Sequence, residues 1–189
     1  SYAGNLSVNS INPVTMNLMR FNGNINGTLN QLSSAPLNIN YMMINKTGGA
    51  SLTLNNPVRV VNAASFESGF ILSTPASPLI FLNNALTFNA SGNSHIIGAT
   101  LKVGDDAFSF PLGNGTGLHL LGMSAPGSTT DSFLANIVIK NPADDGYPTT
   151  SKEGALLQIE PFLYWTLNRL SGTTPTEVTL GWGNACVNE

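Results

Sequence analysis

The chain has 189 residues, a net charge of −3 and only 9% charged residues, against about 25% in an ordinary soluble domain. Hydrophobic residues make up 42%, enough for a sizeable core, so polarity must come from Asn, Ser, Thr and Gly. Seven Lys and Arg spread along the chain exclude the clustered basic surface that nucleic acid requires, and no run approaches the ~20 apolar residues of a membrane-spanning helix.

In residues 1–36 apolar positions alternate at Leu6 and Val8, with Ile11, Ile25 and Leu29 following. The pattern predicts strands, and such strands are available for exchange between subunits. Residues 37–104 form a series of short apolar runs: 37–41, Ser51-Leu52-Thr53-Leu54, Val58-Arg59-Val60-Val61, 70–72, 79–82 and 86–88. Several alternate with period 2, and breakers recur every ~8–12 residues. Loops such as Asn55-Asn56-Pro57 and Asn83-Asn84 suit the corners of a β-solenoid, where Asn and Gly accept left-handed geometry and stacked Asn side chains can bond in ladders. No strict repeat marks the tract, and a flat sandwich would explain the same spacing.

Residues 105–189 carry longer strands: 133–139, 155–159, 164–167 and 177–182, separated by Pro126-Gly127-Ser128, Asp144-Asp145-Gly146 and Ser171-Gly172-Thr173. This part reads as a β-sandwich. The predicted architecture is therefore all-β, a short β-solenoid-like tract followed by a partial antiparallel β-sandwich.

Two motifs have a family look. Phe108-Ser109-Phe110-Pro111-Leu112-Gly113-Asn114-Gly115-Thr116 with Leu121-Gly122-Met123-Ser124-Ala125-Pro126 is one, and Tyr164-Trp165-Thr166-Leu167 with Val178-Thr179-Leu180-Gly181-Trp182 is the other. Together with Asn45–Val58 and Ser94–Lys102 they resemble a β-solenoid and β-sandwich module of large secreted surface proteins of Bacteroidetes-type bacteria, exported by type IX secretion. The resemblance covers about Leu37 to Trp182. It implies an extracellular, non-catalytic structural or adhesive protein, a segment of a cell-surface fibre or adhesin. Its partners would be copies of itself or flanking domains of the same surface protein. The family module usually continues beyond its last Trp strand. A sandwich short of strands leaves an open edge that accepts another strand, which suggests assembly by strand exchange.

Candidate chemistry is sparse. His95 and His119 are the only histidines, no Gly-x-Ser-x-Gly elbow is present, and the expected catalytic and cofactor sets are empty. His119 lies in the alternating Leu118-His119-Leu120-Leu121, which predicts an exposed strand face, and His95 is expected in a turn. Asp105, Asp106, Asp144 and Asp145 are the carboxylates a calcium ion would use, but Asp-Gly is also ordinary turn chemistry. Tyr147, Tyr164, Trp165 and Trp182 raise carbohydrate binding, the alternative function, with Tyr147 the best candidate because it lies in a loop. Two buried tryptophans would count against it. Cys186 is the one cysteine of this sequence, either a free thiol or the partner of a cysteine outside it. Of the Asn-x-Ser/Thr triplets, Asn5, Asn26, Asn45, Asn89 and Asn114 are expected by chance in so Asn-rich a chain.

Overall fold

A computed structural model describes residues 1–150 and 159–181. The first ten strands are β1 (Leu6–Val8), β2 (Val14–Gly23), β3 (Gly27–Gln31), β4 (Leu37–Lys46), β5 (Ser51–Leu54), β6 (Val58–Leu72), β7 (Leu79–Phe81), β8 (Leu86–Phe88), β9 (Ser94–Ile97) and β10 (Ala99–Val103). They pair in parallel and wind as a β-solenoid.

Each coil contributes to three stacks of strand segments. The first is β1, β3, β5, the end of β6, and β9. The second joins the starts of β2, β4 and β6 to β7 and β10. The third joins the later parts of β2 and β4 to the middle of β6 and then β8. In β4 the inward residues are Leu37 and Ile39, then Met42, Ile44 and Lys46, so Asn40 and Tyr41 both miss the core and the inward parity switches. A register irregularity between β4 and β6 falls at that point.

The core follows from the register. Leu37 pairs with Val58 and Val58 with Leu79; Phe21 pairs with Ile44 and Ile44 with Phe66; Leu52 pairs with Ile71 and Ile71 with Ile96. All are buried. Apolar columns running up the stack let each coil cover its neighbour, each large side chain contributing roughly 1.5–3 kcal/mol. At Gly69 φ is +80° and an added Cβ would lie 2.4 Å from two carbonyl oxygens, so the tight passage between third and first stacks requires glycine.

After β10 the chain turns antiparallel. The remaining strands are β11 (Phe108–Phe110), β12 (Leu121–Met123), β13 (Ser132–Val138), β14 (Tyr164–Ser171) and β15 (Val178–Leu180). β13 pairs with β10, and β14 with β13, so they extend the second stack's sheet. β11, β12 and β15 form a separate three-stranded sheet. Its inner residues Phe108, Phe110, Leu121 and Met123 join the same core, with Phe108 against Phe81 at a ring separation of 5.0 Å.

The expected boundary at Leu37 is displaced. Pairing of β1 with β3 and of β2 with β4 carries the solenoid back to Leu6, and these first strands are held by their own chain. Nor does the antiparallel part stand apart as a domain with a core of its own. The strand expected at 155–159 falls largely outside the described residues.

Candidate functional site

Three polar features could carry function: the seams between coils, the inward-facing cations and imidazoles, and an aromatic corner beside β14.

The seams use asparagine. Asn55 Nδ2 donates to Asn30 Oδ1 at 2.5 Å, and Asn30 Nδ2 donates to Ser7 Oγ at 3.3 Å, one coil below. Elsewhere the Asn carbonyl replaces a strand partner. The backbone N–H groups of Thr28, Gln31, Ser51 and Asp105 donate to Asn5, Asn56, Asn26 and Asn83 at 2.9–3.0 Å. At a corner the backbone cannot reach the next coil, and the short amide side chain satisfies the stranded donor.

Inside the stack, Lys46 and Lys102 are fully buried. Lys46 Nζ donates to the carbonyls of Ala3 and Asn22 at 2.7 and 3.2 Å, tying the N-terminal segment to the second coil. Lys102 Nζ donates to Leu82 O, pairs with Asp106 at 2.8 Å and lies 5.1 Å from the Phe108 ring centre. It continues the column Ile39–Val60–Phe81 and stands between Phe81 and the buried Phe133, a compensated charge inside an apolar seam. Burial lowers the pKa of both lysines.

Both histidines face inward, which corrects the expectation of a turn for His95 and an exposed face for His119. His95 lies in β9. Its Nδ1 is 2.8 Å from Ser91 O, and its Nε2 accepts the Gly115 N–H at 2.9 Å, so the ring is neutral with the proton on Nδ1. It packs on Phe70, and burial lowers its pKa. The alternation around His119 misled because Leu118–Leu120 is not a ladder strand: the His119 carbonyl accepts from Trp165 Nε1, and its ring is turned to the core.

The aromatic corner is built by a short turn. Asn141 caps a 3-10 helix, Pro142–Asp145, by accepting the Ala143 N–H, and Gly146 ends it in the left-handed conformation. The turn sets Tyr147 edge-on to Tyr164 of β14, at a ring separation of 5.3 Å. Tyr164 Oη donates to Asp145, whose other oxygen pairs with Lys140 at 2.5 Å. Those two partners hold the Asp145 carboxyl below its ordinary range, while the acceptor raises the Tyr164 phenol to about 12. Phe162 projects into solvent nearby in sequence. Exposed rings beside a charged pair can stack on an apolar face and hydrogen-bond a polar rim.

The structure brings Tyr147, Tyr164 and Asp145 together. It does not join them to Asp105 and Asp106. Asp106 accepts from Asn84 and pairs with Lys102, while Asp105 is held through its N–H by Asn83. Among the described residues no group of three His, Cys, Asp or Glu could hold a metal ion. Trp165 is half-buried against the core; Trp182 and Cys186 lie outside the described residues. The inward lysines were not foreseen, although Lys46 and Lys102 sit where the strand parity calls for a core residue. No helix among the described residues is long and apolar enough to cross a membrane. Comparison with protein-family models, with curated proteins and with solved structures finds no match.

Proposed function

We propose that the chain is a non-catalytic, extracellular structural or adhesive segment of a bacterial cell-surface fibre or adhesin, working with copies of itself or with flanking domains. The observation that carries this reading is the use made of the polar side chains. Asparagines bridge coil to coil, Lys46 and Lys102 bind backbone carbonyls of neighbouring coils and His95 fastens a loop, so these polar side chains are spent on holding a stack. Such a stack is a spacer whose length grows with coil number. The resemblance to secreted Bacteroidetes-type modules points to export by type IX secretion.

Electron microscopy of the native material, with an antibody to this chain, tests the reading. Labelled filaments or surface projections are expected. Labelling confined to the cell interior overturns it.

A second reading, a carbohydrate-binding module, is favoured by the exposed Tyr147 ring set edge-on to the half-buried Tyr164. Affinity electrophoresis through soluble polysaccharides checks it: retardation lost in Tyr147→Ala supports sugar stacking, and equal mobility in every polysaccharide removes it.

A further inference from the structure

The outer face of the third stack is apolar where a solvent-facing sheet should be polar. Two columns run up it. Leu18 pairs with Tyr41, Tyr41 with Ala63 and Ala63 with Leu86; beside them Arg20 pairs with Met43, Met43 with Ser65 and Ser65 with Phe88. Leu18, Tyr41, Leu86 and Phe88 are each about half exposed, at 54, 49, 53 and 49%. Contiguous exposed apolar residues of this kind mark an interaction surface. Only two residues on this face are charged, Arg20 at the first rung and Glu67 beside the third, and they have opposite signs.

We infer that this strip packs face to face against the same strip of a second copy of the chain. A two-fold axis parallel to the strands, between the second and third rungs, superposes first rung on fourth and second on third. Leu18 then meets the second copy's Leu86. Tyr41, the largest side chain of its column, meets Ala63, the smallest. Arg20 lands over the second copy's Phe88, next to its Glu67, which is held in place by Ser65 and by Asn89 at 3.0 Å. Arg20 itself makes no salt bridge among the described residues, so the contact supplies the partner it lacks. Shape and charge are both self-complementary in this one arrangement.

Four rungs at ~4.8 Å and two columns ~7 Å apart make a small contact. It falls well below the roughly 800 Å² per partner of stable complexes, so pairing is weak for single copies and strengthened by multiple display. The pairing joins faces rather than strand edges, and it stands independently of the surface role proposed above.

Sedimentation equilibrium of the full chain, from about 10 μM to about 1 mM, tests it. Wild type is expected to show a reversible monomer–dimer equilibrium. Arg20→Glu and Glu67→Arg, both at exposed positions, should each weaken it about fivefold or more, and the double reversal should restore it. Ala63→Arg, which fills the notch opposite Tyr41, should abolish it. Wild type that stays monomeric to 1 mM overturns the inference. So does a dimer indifferent to all of these changes, or singles that weaken it without rescue by the double.

Discussion

The solenoid and the antiparallel end share one core but differ in how they use it. In β4 and β6 inward side chains such as Ile39, Met42, Ile44, Val58 and Val60 are covered above and below by a neighbouring coil. In β14 half the residues are exposed and none is fully buried, and β15 is exposed throughout. A rung in the middle of a stack has two neighbours to lose, whereas an edge strand has one. Stability should therefore be graded along the chain, with local opening starting from the antiparallel end. Amide hydrogen exchange reads this directly: β4 and β6 should exchange only through global unfolding, and β14 and β15 well before. Uniform protection would mean that the two regions unfold as one unit.

The largest contrast is expected from truncating one side chain in each region. Phe66→Ala removes a fully buried ring from the third stack and should cost about 3–5 kcal/mol. Leu180→Ala, at a 38%-exposed position in β15, should cost about 1 kcal/mol or less. Urea denaturation of both variants checks the pair, and equal losses would break the comparison. Next in size is Lys46→Met. Methionine keeps the apolar stem but leaves the carbonyls of Ala3 and Asn22 without their donor. A loss of about 2 kcal/mol is expected, with faster exchange concentrated in β1 and β2.

How much of this was legible in the sequence depends on the physical signal each feature leaves. The all-β class was legible from alternation in stretches such as Ser51–Leu54 and Val58–Val60, because a strand's inward parity is a local property. Asn-rich corners were legible for the same reason. The extent of the solenoid was not. Val14 pairs with Leu37, Leu37 with Val58, Ser51 with Phe70 and Gly69 with Ser94, steps of 23, 21, 19 and 25 residues. A register set by columns of buried side chains tolerates corners of different length, so the spatial repeat leaves no fixed sequence period. The parity switch at Asn40 and Tyr41 hides the outer apolar strip, since Tyr41 reads as one more core position. The aromatic corner was half legible: Tyr147 stood out as a loop aromatic, but its pairing with Tyr164 depends on β13 and β14 being neighbours.

The imidazole inside the solenoid sets a smaller effect. His95 has its pKa lowered by burial, so the unfolded chain takes up the proton first as pH falls. The stabilisation is complete above the unfolded pKa of about 6.5 and is lost progressively as pH falls toward the folded value. His119 is shifted the same way and adds to the slope. The urea midpoint should fall between pH 7.5 and 5.5, above the range where carboxylates titrate, and His95→Gln should flatten part of that fall. A midpoint that is constant over this window would contradict the neutral, doubly bonded ring.

The smallest effect belongs to the antiparallel end and concerns a spectrum more than stability. Tyr164 donates its phenol proton to Asp145, which raises its pKa to about 12, and the pair is exposed, so little folding free energy rides on it. The sign is that of a raised group: its stabilising contribution is present below the ordinary phenol value of about 10 and disappears as pH rises through about 12. Ultraviolet titration of phenolate absorbance should show one tyrosine ionising near that upper value. Asp145→Asn removes the negative acceptor and should bring that transition down toward 10, with the urea midpoint at neutral pH nearly unchanged. If the late transition persists in Asp145→Asn, Tyr164 is not held by the turn. The corner would then lose the fixed geometry that makes Tyr147 a candidate platform for a sugar.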